Sequence, residues 1–237
     1  MRSTMAGKLY AVGVGPGDPE LMTLKAIKTI KNVDCIACPA SHGGPGTAFG
    51  IAKEACPEII SKELLLLEFP MRRDDLDHAH QMAAEQIINC LSLGKDVAFL
   101  TLGDPGFYST FYYVAGIISG QGYEIEIISG ITSFSAAAAR LKLPLSLGDG
   151  SVMITSGEFR ELEGTLVILK AGSRLKEFKE KAAVCGKDVY LVENCGMTDE
   201  KAYYDTDSIP DEAGYFSLVI IKDSRQCVSL HATCRSL

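Results

Sequence analysis

The first half of the chain alternates short apolar runs with stretches of helical periodicity, and this alternation narrows the possible folds more than any other feature. Strands are expected at 8–14, 33–38, 64–69 and 96–102, and helices at 20–31, 47–55, 74–93 and 109–119. Strand–helix–strand repeats of this kind form mainly parallel sheets with helices on both faces. The first half therefore predicts an α/β domain.

The second half has shorter connections between its strand-like runs. Strands are expected at 124–128, 151–155, 165–169, 188–192 and 216–222, and helices at 133–141 and 173–184. The change in spacing near residues 120–123 places a domain boundary there. We therefore expect two α/β domains, residues 1–121 and 122–237.

Charge and composition exclude several classes of protein. The chain has 237 residues, 47% of them apolar, with a net charge of −7. An acidic chain is a poor partner for nucleic acid or for an anionic membrane surface. Its apolar runs are too short to span a bilayer, and the residues before the first strand do not predict a signal peptide. We expect a cytoplasmic protein whose eight scattered cysteines are reduced thiols.

Two patterns that resemble metal sites are interpreted as structural. Cys35 and Cys38 form a C-x-x-C pair inside a strand, where an odd separation points the side chains to opposite faces. His78 and His80 are two residues apart on a helix, whereas a paired-histidine site requires a separation of four. Both histidines are assigned to a solvated helix N-terminus, and no metal site is expected.

Two glycine loops follow strands. The first, 13–18, carries Asp18 where a dinucleotide-binding turn needs its third glycine, which disfavours that cofactor class. The second contains Gly103, Asp104 and Pro105 and follows the most apolar strand. Ligand sites of parallel sheets lie beyond the carboxyl ends of the strands, so both loops should face one crevice.

Some polar residues near these loops have two possible roles. Asp18, which precedes Pro19, either caps a helix or lies near a reacting centre. Thr132 and Ser133 stand at another strand-to-helix junction, where they could cap the helix, contact a ligand, or do both. The sequence leaves these alternatives open.

Four segments, taken in order, resemble the tetrapyrrole methylase family. They are Gly13-Val14-Gly15-Pro16-Gly17-Asp18-Pro19-Glu20-Leu21 with Thr23-Leu24-Lys25-Ala26, then Leu102-Gly103-Asp104-Pro105 with Tyr108-Ser109-Thr110, then Gly130-Ile131-Thr132-Ser133 and the residues that follow to Leu141, and finally Glu193-Asn194-Cys195-Gly196. They span nearly the whole chain. Phe69-Pro70-Met71 and Ser133-Phe134-Ser135 resemble the branch that methylates C-20 of precorrin-2 or cobalt-factor II.

The resemblance implies an S-adenosyl-L-methionine-dependent enzyme of cobalamin biosynthesis, built as a homodimer. It implies two α/β domains with the methyl donor in the cleft between them. The cofactor contacts that it implies are Pro16, Leu102, Gly103, Asp104, Phe107, Thr132, Ser133, Ala171, Cys195 and Leu218. Methylation at another corrin position, or a non-catalytic tetrapyrrole carrier, remains an alternative.

The acceptor implied by this resemblance is a polycarboxylate macrocycle. Asp18 and Tyr108 are expected on its side of the crevice, and Arg72 and Arg73 are candidate clamps because guanidinium groups match carboxylate geometry. The alternative for the two arginines is a solvated basic pair at a helix start. No catalytic base can be assigned.

Overall fold

The computed structural model describes residues 6–41, 43–70 and 75–223. The strands are β1 (Leu9–Gly13), β2 (Cys35–Ser41), β3 (Gly44–Pro45), β4 (Glu63–Leu67), β5 (Val97–Thr101), β6 (Ile125–Ile128), β7 (Val152–Ser156), β8 (Thr165–Leu169), β9 (Lys187–Glu193), β10 (Lys201–Tyr203) and β11 (Ser217–Asp223). The α-helices are α1 (Leu24–Asn32), α2 (Thr47–Ala55), α3 (Leu76–Ser92), α4 (Phe111–Gly120), α5 (Ser133–Arg140) and α6 (Leu175–Val184). They form two compact units, Met1–Thr132 and Ser133–Leu237.

The first unit contains a sheet in which β4, β2, β5, β1 and β6 lie side by side and run parallel. The short β3 pairs antiparallel with the end of β2. One face of the sheet packs on α3 and α4, and the other on α1 and α2. The predicted parallel sheet with helices on both faces is confirmed.

Alternation along β2 places Cys35 and Cys38 in different cores. Cys35 packs with α3 and α4, and Cys38 packs on the opposite face. The prediction that this C-x-x-C pair cannot share one site is therefore confirmed.

The second unit is built on a five-stranded sheet in the order β10, β9, β11, β8 and β7. Its pairs are antiparallel except β7 with β8. Helix α6 covers one face and α5 the other. Both units are thus α/β, as the sequence predicts.

The first unit extends past the expected boundary at 121/122. Strand β6 pairs with β1 from Leu9↔Ile125 to Val12↔Ile128, which makes it part of the first sheet. The boundary between the two compact units therefore lies after Thr132. Residues 120–123, where the connections between elements were expected to become shorter, lie at the end of α4 and in the loop before this last strand of the first sheet.

The helix expected at 20–31 is interrupted. A 3-10 turn covers Pro19–Leu21, and α1 begins only after Thr23, whose Oγ1 accepts a hydrogen bond from the Ala26 N–H at 3.1 Å. Leu24, the first residue of α1, is 77% exposed, whereas Ile30 near the end of the helix is fully buried.

Candidate active site

The two glycine loops of the first unit are hydrogen-bonded to each other. The Gly15 N–H donates to the Gly103 carbonyl at 3.2 Å, and the Gly103 N–H donates to the Gly15 carbonyl at 2.7 Å. The loops follow β1 and β5, which are neighbouring parallel strands. Both loops thus lie at the carboxyl ends of neighbouring strands, at one edge of one sheet.

A third loop, 129–132, joins them from β6 on the other side of β1. A Cβ on Gly130 would lie 2.2 Å from the Gly103 oxygen and 2.9 Å from the Gly13 carbonyl carbon. A Cβ on Gly13 would lie 2.6 Å from the Gly130 nitrogen. Backbone atoms cannot yield to such contacts, so this three-loop junction requires glycine at both positions.

Asp104 fixes the junction with its carboxylate. Oδ2 accepts a hydrogen bond from the Gly130 N–H at 2.9 Å, and Oδ1 accepts one from the Gly106 N–H at 2.7 Å. The side chain thus ties the Gly-Asp-Pro loop both to the third loop and to its own turn. The sequence predicts Asp104 as a cofactor contact, but its bond to Gly130 depends on strand order, which the motif alone does not contain.

The end of the second loop is held against its own strand. The Ser109 hydroxyl lies 3.4 Å from Thr101 Oγ1 and accepts a hydrogen bond from the Phe111 N–H at 3.1 Å. Between these fixed points Phe107 and Tyr108 are exposed, and Tyr108 adopts a left-handed φ of 50°. Two aromatic rings are therefore presented to the surface by a rigid loop.

The remaining predicted residues of the first unit differ in accessibility. Pro16 is buried, and Leu102 is half-buried beside the junction. Asp18 Oδ1 accepts a hydrogen bond from the Glu20 N–H at 2.8 Å and caps the 3-10 turn. The capping alternative is thus confirmed for Asp18. Thr132 ends this unit, half-buried.

Three predicted residues of the second unit lie at one edge of its sheet. Ala171 and Cys195 follow β8 and β9, which flank β11. The Ala171 N–H donates to the Ser217 carbonyl at 3.1 Å, and the Asn194 N–H donates to the Phe216 carbonyl at 2.9 Å. This edge therefore gathers Ala171, Cys195 and the start of the strand that carries Leu218.

The side chains at this edge are buried. Ala171, Cys195 and Leu218 are 1%, 8% and 4% exposed and belong to the two cores of the unit. The residues just before Ala171 and Cys195, Lys170 and Asn194, have left-handed φ angles of 55° and 50°. Both residues thus lie directly after a tight turn, with backbone and side chain alike almost fully covered.

The loop that contains Cys195 is held by an acidic residue. Glu200 accepts a hydrogen bond from the Gly196 N–H at 2.7 Å and forms an ion pair with Arg140 at the end of α5. Burial raises the pKa of the Cys195 thiol to about 12, and the nearby Glu200 charge adds to the shift. Cys195 is therefore a neutral thiol at pH 7, unsuited to act as a nucleophile.

Ser133, another of the residues predicted to contact the cofactor, is half-buried and is the first residue of α5.

A groove in the first unit lies where β2 and β4 end. It is lined by Ala40, Gly43, Leu66, Glu68, Phe69, Pro70, Asp75, His78, Ala79, Met82, Ala83 and Gln86. Arg72 and Arg73 fall between two of these residues in the chain but lie outside the described residues. The sequence assigned no role to this groove, although Phe69-Pro70 in the family motif leads into it.

The histidines at the start of α3 differ from each other. His78 is exposed at the groove, as a solvated helix start predicts. His80 is only 7% exposed and stacks on Tyr113, with ring centroids 4.8 Å apart. The assignment of His80 to a solvated face is therefore wrong, because α4 packs against this part of α3.

Comparison with known families identifies the fold. The model of the Tetrapyrrole (Corrin/Porphyrin) Methylases matches residues 8–207. The chain belongs to the tetrapyrrole methylase family. Among its relatives, the probable cobalt-precorrin-2 C(20)-methyltransferase of Methanocaldococcus jannaschii is 37% identical over 91% of this chain and 96% of its own. The precorrin-2 C(20)-methyltransferase of Sinorhizobium sp is 30% identical over 93% and 97%.

Solved structures of other members share the fold. Uroporphyrin-III C-methyl transferase from Thermus thermophilus, complexed with S-adenyl homocysteine, superposes with a TM-score of 0.65 and 20% identity over 91% of this chain and 92% of that one. The tetrapyrrole methylase fold is thus shown for this chain. In the described residues, moreover, no helix has the length and apolar character that crossing a membrane requires.

Proposed function

We propose that this tetrapyrrole methylase transfers the methyl group of S-adenosyl-L-methionine to C-20 of precorrin-2 or its cobalt complex, in cobalamin biosynthesis. The observation that carries the proposal is near-full-length similarity to two relatives that are both named for the C-20 position. One of them is named for the cobalt-containing substrate and the other for the metal-free one. Both macrocycles are therefore candidate acceptors.

The three-loop junction supports a cofactor site in the first unit. Gly103 is buried, yet a Cβ there would have one neighbour within 4 Å, the Ile131 carbonyl oxygen at 3.9 Å, so the space beside its Cα is open. A ligand can approach such backbone closely. Leu102, Gly103 and Asp104 would hold the amino-acid end of the donor, with Pro16 and Thr132 on the flanking loops.

Methyl transfer from a sulfonium needs positioning more than it needs a nucleophile. The donor supplies an already activated methyl group, so holding it in line with the acceptor carbon can provide much of the acceleration. Both carboxylate oxygens of Asp104 accept backbone hydrogen bonds, which fits a positioning role. The exposed rings of Phe107 and Tyr108 can attract a sulfonium through their π faces.

The second unit would contribute the edge of its sheet where β8 and β9 end. Ala171 and Cys195 follow these strands, and β11 begins between them. We propose that these residues, with Ser133 and the start of β11 near Leu218, form the part of the cofactor site in this unit. The neutral Cys195 thiol would take no covalent part.

Acceptor binding requires local positive charge, because the chain is acidic overall and the macrocycle carries several carboxylates. Arg72 and Arg73 follow Pro70-Met71 in the chain, and Pro70 lines the groove at the ends of β2 and β4. We propose that this groove holds one edge of the acceptor, with Tyr108 near the reacting carbon, while Asp18 serves as the cap of its 3-10 turn. A homodimer in the cytoplasm is proposed with it, from the family resemblance.

Two measurements test the proposal. Calorimetry with S-adenosylhomocysteine should show one binding site per chain, and incubation with cobalt-factor II and the methyl donor should add one methyl group by mass. Macrocycle binding without S-adenosylhomocysteine binding would instead indicate a carrier. No mass gain with either metal-free or cobalt-containing acceptor would contradict methyl transfer.

A further inference from the structure

Two buried cysteines and a carboxylate come together at the edge of the first sheet where its strands begin. Cys35 is the first residue of β2, Glu63 is the first of β4, and Cys90 lies near the end of α3. Because β2 and β4 run parallel, this edge is opposite the one that carries the glycine loops. The Cys35–Glu63–Cys90 cluster is therefore separate from the candidate active site.

The ligand atoms of the cluster are spaced as metal ligands are. Cys35 Sγ lies 3.5 Å from Glu63 Oε2, and Cys90 Sγ lies 3.9 Å from Glu63 Oε1. All three ligand atoms fit within 4.8 Å of one another. Sulfur and oxygen ligands of a tetrahedral Zn²⁺ are about 3.5 Å apart, given bond lengths of about 2.3 and 2.0 Å. Small side-chain shifts would complete such a site.

The burial of the cluster fits a cation entering from solvent. The side chains of Cys35 and Cys90 are 0% and 5% exposed, whereas Glu63 is exposed. The carboxylate can therefore meet a hydrated ion first, and the thiols then bind it away from water. An open fourth position on the solvent side would accept a water molecule.

We propose that Cys35, Cys90 and Glu63 bind one thiophilic divalent cation of the Zn²⁺ type. Two thiolates and a carboxylate carry one negative charge more than such a cation neutralises. Lys95, whose Nζ lies 2.5 Å from Glu63 Oε2, supplies the balancing positive charge. It leaves Glu63 Oε1 to face the cation.

Binding must displace protons from both thiols. Burial raises the pKa of Cys35 to about 12 and also raises that of Cys90, so both are neutral without a metal at pH 7. A bound cation replaces these two protons, which pass to solvent, and its affinity therefore rises with pH. The cation would link β2, β4 and α3 and stabilise the first unit.

The chain offers a matched control nearby. Cys56 Sγ lies 3.5 Å from Glu58 Oε2, and Lys31 is 3.0 Å from Glu58 Oε1. This arrangement reproduces the cysteine, carboxylate and lysine of the cluster without a second cysteine. A carboxylate beside one buried thiol should not hold the cation.

Cd²⁺ titration of the full chain, reduced and stripped with a chelator, tests the site. The wild type should develop a thiolate-to-cadmium charge-transfer band that saturates at one equivalent, and Zn²⁺ should raise Tm. Cys35→Ser and Cys90→Ser should each weaken Cd²⁺ binding by at least about 100-fold, more than loss of an outer-sphere partner typically costs. Cys56→Ser and the double variant Cys227→Ser/Cys234→Ser should bind as the wild type does.

Glu63→Gln provides a second test in case Cys35→Ser or Cys90→Ser fails to fold, because Glu63 lies at the surface and its substitution should leave the core intact. It should weaken Cd²⁺ binding while circular dichroism stays unchanged. A wild type without the band, or a band that persists in Cys35→Ser and Cys90→Ser, overturns the site. Loss of the band in Cys56→Ser would also overturn it.

Discussion

At the scale of the residue, Asp104 has a more structural part than its motif suggests. Its carboxylate accepts hydrogen bonds from the N–H groups of Gly106 and Gly130, in two different loops. Hydrogen bonds to a charged group are worth about 1.5–3 kcal/mol each in typical proteins. Removing the carboxylate should therefore loosen the loops that we propose hold the cofactor.

Asp104→Ala should lower the free energy of unfolding by about 3 kcal/mol or more and weaken S-adenosylhomocysteine binding, because Gly106 and Gly130 both lose an acceptor. Asp104→Asn keeps one acceptor oxygen and should lose about half as much stability. Urea unfolding and calorimetry measure the two effects. S-adenosylhomocysteine binding that survives Asp104→Ala unchanged would remove this loop from the cofactor site.

Cysteine reactivity provides a second test at this scale. Burial raises the pKa of Cys195 to about 12, so almost no thiolate forms at pH 7. Cys185 is half-exposed by comparison. We expect iodoacetamide to alkylate Cys185 in the native protein and to leave Cys195 unmodified, as judged by peptide mass spectrometry. Rapid alkylation of native Cys195 would contradict the buried, neutral thiol.

At the scale of the element, three strand ends are joined through glycine. Loops from β5, β1 and β6 approach so closely that a side chain at Gly130 would collide with the Gly103 carbonyl oxygen at 2.2 Å. The junction therefore depends on adjacent strands presenting glycine at matching positions. A shift in one loop should be transmitted to the other two.

Gly130→Ala should destabilise the protein by at least about 1–3 kcal/mol, as overpacking does, and reduce S-adenosylhomocysteine affinity. Gly116→Ala is the matched control, since a Cβ there has no neighbour within 4 Å and the residue lies in α4. That control should be neutral or stabilise by up to about 1 kcal/mol. Equal Tm values for the two variants would contradict the packing described for the junction.

The edge strand β6 is tied to its neighbours by charge. Glu126 bonds to Lys25 of α1 and to Lys8, which precedes β1, both at 2.8 Å. These bonds, Lys25 first, lower the pKa of Glu126 from 4.5 to about 2. A carboxylate whose pKa is lowered on folding stabilises the native state above its unfolded pKa, and this contribution is lost as the pH falls toward the folded value.

Glu126→Gln should therefore flatten the fall in Tm between about pH 4.5 and pH 2 and leave a smaller Tm difference from the wild type at the acid end of that window. Because the charges lie near the surface, high salt should shrink the effect. Thermal unfolding across this pH range measures it. The same acid dependence in wild type and Glu126→Gln would show that this network does not contribute.

At the scale of the whole molecule, local sequence patterns predict the helices and strands better than they predict which of these elements contact each other. The alternation of apolar runs and helices predicts the parallel sheet, and the positions of the glycine loops predict their meeting at one edge. The pairing of β6 with β1 and the bond from Asp104 to Gly130 involve residues distant in sequence. A motif contains neither the strand order nor the register that creates them.

The same limit explains two residues whose environment was not foreseen. Helical spacing within α3 gives no sign that α4 brings Tyr113 onto His80. The alternating side-chain direction along β2 correctly predicts that Cys35 and Cys38 lie on opposite faces of the sheet. It does not indicate that Cys90 and Glu63, from other elements, lie beside Cys35. Each of these contacts depends on how helices lie across the sheet.

The position of the new methyl group tests the proposed function most directly. Purified protein is incubated with a donor carrying a ¹³C-labelled methyl group and with precorrin-2 or cobalt-factor II, and the product is analysed by nuclear magnetic resonance and mass spectrometry. We predict a single labelled methyl on C-20. A labelled methyl at another ring carbon, or an unmodified macrocycle recovered with both acceptors, would contradict C-20 methylation.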